Sequence, residues 1–317
     1  MKKVFVCFTP LHVLIAKKII EIEYIKDFVF IYFTDIDNEK HRYYYNKLKL
    51  IATESYFVIL KKRLFIDMLT LHKLKKKITN NSSFKNFVFY TGKIKSFHVR
   101  YLMYLTNYNS FITFDDGTGN ISREGYFYDE NERFLFKIFF SLIDKRLIYK
   151  NIKNSMKLHY TIYNLPNVFP RSKYIDIFNK SDLIVKKKKE NKKGITILLT
   201  NAFAEDGEMK LEDEKELYYK IINYFNVTHI CKHPREKFQK LENISVIELK
   251  SNKIAEELIF ELHKDYQVTV IGIYSTTLFN LASIKGIKLI NVYAKLKKPT
   301  DNIRKLLSRI KIETIYL

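Results

Sequence analysis

The chain has little of what secreted mini-proteins or fibrous proteins rely on. Among its 317 residues are two cysteines, Cys7 and Cys231, five prolines, eight glycines and no tryptophan. Both cysteines lie in apolar, strand-like runs, which excludes a disulfide framework and fits a reducing compartment. So few glycines and prolines exclude collagen-like and linker-like chains. No run of about 18 uninterrupted apolar residues is present, so nothing is expected to span a bilayer. The opening MKKVFVCFTPLHVLIAKK is broken by Pro10, His12, Lys17 and Lys18 and carries no small-residue cleavage site, unlike a signal peptide. Acid is also scarce: Asp+Glu 34 against Lys+Arg 56 gives a net charge of +22. What is abundant is apolar and aromatic material, 47% and 15%, with 25 Phe and 23 Tyr. That is too much for a disordered cationic tail, so the chain folds. Its length suggests two domains of about 150 residues each.

Strands and helices alternate. Apolar β-forming runs at 3–8, 28–33, 56–60, 87–90 and 110–114 are each followed by helical spacing, at 11–25, 38–51, 64–78 and 94–105 after the first four. Between about residues 130 and 193 the alternation breaks: 131–143 is predicted helical and 158–163 extended, and Pro166 and Pro170 mark an irregular passage. This stretch ends in Lys186, Lys187, Lys188, Lys189, Lys192 and Lys193, a run typical of a solvated connector. Strands at 195–199, 228–231, 244–248, 268–271 and 287–292 then alternate with helices at 212–224, 252–262, 276–284 and 301–310. Apolar strands between helices indicate parallel sheets. The expected architecture is α/β, with two Rossmann-like domains facing a central cleft, 1–160 and 194–317, joined by an irregular basic linker at 161–193. Ligands in such folds sit at the carboxyl ends of the strands.

Four polar clusters follow predicted strands. Thr9, Pro10 and His12 follow the first. Asp115, Asp116 and Gly117 end the fifth, where adjacent carboxylates can raise one another's pKa and one can serve as a general base. The same residues also make an ordinary polar turn. His233, Pro234 and Arg235, with Lys232, put an imidazole between cations that can bind phosphate. Gly272, Tyr274, Ser275 and Thr276 stand at a helix start, as caps or as an anion site. A second acidic pair, Glu205 and Asp206, precedes a helix. The other histidines, His159 among them, read as packing or surface residues, and no HExxH or paired-cysteine spacing suggests a metal site.

In order and spacing these clusters resemble the bacterial sialyltransferases of glycosyltransferase family 52, which act on lipooligosaccharide and capsular polysaccharide. Their acidic-acidic-Gly, His-Pro and Ser/Thr motifs are matched by Asp115-Asp116-Gly117, His233-Pro234 and Ser275-Thr276. The wider runs FDDGTGN at 114–120, HYTIY at 159–163 and CFTPL at 7–11 match as well. The resemblance implies a GT-B fold, with an acceptor-side first domain and a nucleotide-sugar second domain. It also implies CMP-sialic acid as donor, no cofactor or metal, inversion at the anomeric carbon, and a terminal galactose acceptor with α2,3 linkage. On it, Asp115 is the base on the galactose hydroxyl, His233 assists the departing CMP phosphate, and Ser275 and Thr276 hold that phosphate. A carboxylate in the loop 201–208 is the other candidate for the base, and Asp206 is the one retained.

Because the first strand begins almost at Met1, the chain is expected to be cytoplasmic or peripheral at the inner face of the membrane. Lysine runs such as 73–77 and 186–193 suit anionic lipid. A homodimer through the middle segment is also expected. The alternatives are a GT-B enzyme with another nucleotide-sugar donor, and a basic nucleic-acid-binding protein. The second lacks any recognition motif, so no nucleic-acid partner is expected.

Overall fold

The computed structural model describes residues 1–80, 86–178, 192–242, 244–294, 301–310 and 312–317. It divides into two compact units, Met1–Ile177 and Phe178–Leu317.

The first unit holds a seven-stranded sheet. Its strands are β1 (Lys2–Cys7), β2 (Phe28–Thr34), β3 (Glu54–Ile59), β4 (Phe87–Thr91), β5 (Ser110–Phe114), β6 (His159–Thr161) and β7 (Ser172–Tyr174). The order is β3-β2-β1-β4-β5-β6-β7, and each neighbouring pair is parallel. Every residue of β2 and β4 is buried, which is why both read as unbroken apolar runs. Each Phe or Val sealed here contributes about 1.5–3 kcal/mol of transfer free energy.

Helices α1 (Pro10–Ile22), α2 (Glu39–Lys49), α3 (Leu64–Asn80), α4 (Phe97–Leu105), α5 (Phe134–Ile143) and α6 (Tyr149–Ser155) belong to the same unit. Thr9 caps α1, its Oγ1 accepting from the His12 N–H at 3.3 Å, and Pro10 sits where its missing N–H costs nothing.

The second unit has β8 (Gly194–Leu199), β9 (His229–Cys231), β10 (Ile247–Glu248), β11 (Gln267–Gly272), β12 (Lys288–Tyr293) and β13 (Glu313–Tyr316), in the order β10-β9-β8-β11-β12-β13. All neighbours are again parallel. In both sheets the first strand stands at the point where the order reverses, so the loops after β1 and β4, and those after β8 and β11, flank a crevice of the kind that takes ligands.

The boundary differs from the expected one. Residues 161–177 belong to the first unit rather than to a linker, because Ser172–Tyr174 pairs with β6. Lys192 and Lys193 are described, whereas Lys186, Lys187, Lys188 and Lys189 lie outside the described residues. Among the described residues no helix is long and apolar enough to cross a membrane.

Candidate active site

At the carboxyl edge of the first sheet, β5 delivers two adjacent carboxylates into opposite environments. Asp115 is wholly buried. It accepts hydrogen bonds from His159 Nε2 at 2.9 Å, Thr161 Oγ1 at 2.7 Å, the Ile162 N–H at 2.8 Å and Asn167 Nδ2 at 3.1 Å. The Thr113 hydroxyl meets His159 Nδ1 at 2.8 Å, which leaves the ring proton on Nε2, facing the carboxylate. Asp115 therefore fastens the segment after β6 to the end of β5. The expectation that it is the general base is corrected on this ground: a carboxylate sealed from solvent and saturated with donors cannot reach a sugar hydroxyl. Removing it strands several buried donors, so Asp115→Ala should cost about 2–4 kcal/mol of stability, measured by urea denaturation. A variant as stable as the parent would contradict this role.

Asp116, half-buried, turns the other way. Its Oδ1 lies 2.6 Å from His12 Nε2, and its N–H donates to Asn120 Oδ1 at 2.9 Å. The Phe8 N–H donates to His12 Nδ1 at 3.3 Å, so the Nε2 proton points at Asp116. Gly92, at the exit of β4, makes room for this ring, since a Cβ there would stand 2.6 Å from His12 Nε2. Gly117 adopts φ 114, a left-handed value that starts the turn beyond the carboxylates. Thr9 and Pro10 act as the cap and first residue of α1 and thereby aim His12. The pairing of His12 with Asp116 and the role of His159 were not foreseen from the sequence, although both histidines lie in or beside the matched motif runs.

The same unit contains a cavity of about 490 Å³ lined by Lys95, Tyr126, Arg133 and Phe136 and by the pairs His98–Asp67 and Arg100–Glu132. Burial lowers the pKa of Lys95, whose ammonium donates to the carbonyls of Tyr126 and Asp129 at 2.9 and 2.7 Å.

In the second unit, β8 and β9 end in two loops that share one buried anchor. Lys240 is 2% exposed, and its ammonium donates to Asn201 O at 2.7 Å, Glu205 Oε2 at 2.8 Å and Glu214 Oε1 at 2.9 Å. Glu205 is thus structural. Burial would raise its pKa, but Lys240 and the N–H groups of Phe238 and Lys237 outweigh that and bring it down to about 2. The other member of the acidic pair, Asp206, is exposed and accepts from Arg235 Nη1 at 2.6 Å.

His233 stands beside them. Its N–H donates to Thr200 Oγ1 and Glu236 Oε2 at 3.1 and 3.0 Å, and its Nδ1 accepts from the Arg235 N–H at 3.2 Å. Burial, then the Arg235 guanidinium, hold its pKa below the usual histidine value against the pull of Asp206. Both effects favour the neutral ring, and the N–H bonded to Nδ1 leaves the ring proton on Nε2. Pro234 is exposed at the turn between His233 and Arg235. Lys232 is engaged with Glu248 of β10 at 2.8 Å.

Across β8, β11 ends at Gly272, where an added Cβ would crowd Ser275 at 3.1 Å. Tyr274 takes φ 51 and donates its N–H to Asn291 Oδ1 at 2.9 Å. Ser275 caps the six-residue helix Thr276–Leu281, accepting from the Thr277 N–H at 3.3 Å, and Thr276 is exposed. Strands β9 and β11 are two places apart, about 10 Å by strand spacing, with β8 between them. The Asn201 amide, at the exit of the intervening β8, donates to Ile273 O at 3.3 Å. The structure therefore joins Asp206, His233 and Arg235 in one group, with Ser275 and Thr276 on the same sheet edge.

A family model for glycosyltransferase family 52 matches residues 25–296. The chain belongs to glycosyltransferase family 52. Among curated relatives of this family member, a CMP-N-acetylneuraminate:beta-galactoside alpha-2,3-sialyltransferase of Pasteurella multocida is 26% identical over 279 residues, 87% of this chain and 86% of the relative. An N-acetyllactosaminide alpha-2,3-sialyltransferase of Haemophilus influenzae is 24% identical over 287 residues, 89% of each chain. Among solved structures, a UDP-GlcNAc 2-epimerase from Neisseria meningitidis superposes with a TM-score of 0.57, covering 99% of this chain and 87% of that one at 9% identity. A spinosyn rhamnosyltransferase gives a TM-score of 0.52, covering 100% and 86%, also at 9% identity. These two likenesses establish the GT-B fold, as expected from the motifs. The family 52 chain is a glycosyltransferase.

Proposed function

We propose that this glycosyltransferase moves sialic acid from CMP-sialic acid to a terminal galactose of a surface lipooligosaccharide or capsular glycan, with α2,3 linkage and inversion. The observation that carries this reading is the grouping of His233, whose Nδ1 accepts a backbone N–H and so leaves a proton on Nε2, with the carboxylate of Asp206 at one sheet edge. The sialyltransferase names of its family 52 relatives agree with it.

A single displacement needs a base on the acceptor hydroxyl and a partner for the departing phosphate. Asp206 takes the galactose proton as the C–O bond to the anomeric carbon forms. His233 Nε2–H donates to the CMP phosphate as its bond to that carbon breaks. Arg235 orients Asp206 and adds positive charge, and Ser275 and Thr276 offer hydroxyl and N–H donors to the nucleotide. On the acceptor side, Asp116, held by His12, receives sugar hydroxyls. Its partly open position, in contrast to buried Asp115, also favours a second reading in which Asp116 is the base. The reaction is proposed to need no metal or cofactor, and the enzyme to work at the inner face of an anionic membrane.

Incubation with CMP-sialic acid and a panel of galactosides, with the product linkage determined by NMR, tests the assignment. An α2,3-sialylgalactoside should form at the same rate in EDTA. CMP should raise the melting temperature and UDP should not. Stabilisation by UDP alone would mean another donor, and an EDTA-sensitive rate would rule out the metal-free step.

A further inference from the structure

Helix α5, FLFKIFFSLI, contains no acidic residue and is apolar almost all round. One face packs on α4, with Phe136, Phe139 and Phe140 at 5.2, 5.5 and 5.7 Å from the Phe97 ring. The opposite face has no cover: Phe134, Leu135 and Leu142 are 73%, 75% and 81% exposed. Leu64, Phe65 and Leu69, near the start of α3, are also exposed. The two helices adjoin, since Leu64 and Phe136 line the same cavity. Isolated exposed apolar residues are ordinary, but a group of them on two helices that border one cavity is not.

Cations outnumber acids around these residues, although Lys62 pairs with Asp35, Arg146 with Asp144 and Lys153 with the exposed Glu130. Exposed Lys62 and Arg63 directly precede α3, Arg133 and Lys137 stand at and within α5, Arg146 follows it, and α3 continues into exposed Lys73, Lys76 and Lys77. The acidic residue of α3, Asp67, is buried. An apolar strip rimmed by cations is the composition of helices that lie in a bilayer interface, where apolar area and attraction to anionic headgroups add. A second copy of the chain fits less well. A two-fold pairing of this face would set its cationic rim against an identical rim in a molecule already at +22.

We infer that the exposed apolar residues of α3 and α5, with the cations beside them, form the surface that docks the protein on an anionic phospholipid bilayer. This deepens the peripheral attachment proposed above and rests on it. It also places the cavity that Leu64 and Phe136 line beside the bilayer, within reach of a lipid-linked acceptor.

The test is vesicle co-sedimentation, which needs no turnover. The parent should bind phosphatidylglycerol-containing vesicles, bind pure phosphatidylcholine about tenfold less, and dissociate in high salt. The double variant Leu135→Asp/Leu142→Asp should lose about tenfold or more in binding, while sialylating a soluble galactoside at the parental rate. Because the chain lacks tryptophan, Leu135→Trp supplies a unique reporter, and its emission should shift to the blue on vesicles. Tyr24→Trp, exposed after α1, should not shift. Unchanged binding by the Asp variant, or an unmoved Leu135→Trp spectrum, would overturn the inference. So would a parental dimer that the Asp variant dissociates without any vesicle binding, which would make this face a subunit contact. Vesicle binding without sialyl transfer to any acceptor would sink the enzymatic reading alone.

Discussion

Asp206→Asn is expected to lower kcat for sialyl transfer by about two to four orders of magnitude, the usual contribution of a positioned general base. The KM for CMP-sialic acid should change little. The amide keeps the size of the side chain and an oxygen for Arg235, so the loop stays in place and the lost proton acceptor is what the rate reports. His233→Ala should slow turnover comparably, because the departing phosphate loses the Nε2 donor. Asp116→Asn tests the competing assignment. If Asp116 only positions the acceptor, its replacement raises the acceptor KM more than it lowers kcat. A variant set in which Asp116→Asn abolishes kcat and Asp206→Asn retains it would transfer the base to the first unit. Steady-state kinetics with both substrates varied distinguish the two.

Lys240→Met should be the most damaging substitution outside the reacting groups. The ammonium is buried among Glu205, Glu214 and, at 3.7 Å, Glu236. Burial already raises the pKa of Glu236 despite the cation. Without Lys240, buried carboxylates lose their counter-ion, and breaking a buried pair in this way costs about 3–5 kcal/mol. Both loops that carry the reacting groups hang on the same anchor, so kcat should fall together with the melting temperature.

The pH dependence provides a milder check. Glu205 titrates at about 2 in the folded chain and near 4.5 when unfolded. Its contribution is therefore complete above pH 4.5 and is lost as the pH falls toward 2. By linkage this amounts to roughly 3 kcal/mol, and Glu205→Gln should remove that part of the acid dependence of denaturant unfolding. An unchanged acid limb in Glu205→Gln would show that the pairing with Lys240 is energetically idle.

The βα alternation was legible because parallel strands covered on both faces must be apolar without interruption, as in FVFIYFT of β2. The elements that escaped sequence reading lack that constraint. β7, SKY, is exposed at every residue, and β13, ETIY, is an edge strand with its ends exposed. Helix α6, YKNIKNS, is only seven residues long and offers no amphipathic period. The expected linker at 161–193 failed in its first part because Asp115 ties Thr161, Ile162 and Asn167 to the first sheet. No local pattern encodes those bonds, which reach across 46 to 52 positions.

By itself the sequence determined that this basic, aromatic-rich chain folds as successive parallel α/β units, and which strand ends carry polar chemistry. Those properties follow from local periodicity and from the residue types at each strand exit. Which member of each acidic pair faces solvent was decided only by the tertiary structure. Successive residues leaving a strand point in opposite directions, as after β5, and the turn after β8 separates its acidic pair in the same way. Asp115 turns inward to His159 and Asp116 outward to His12, while Glu205 turns inward to Lys240 and Asp206 outward to Arg235. In each pair the choice belongs to a distant partner that burial makes obligatory, since a carboxylate enters the interior only where donors or a cation already wait.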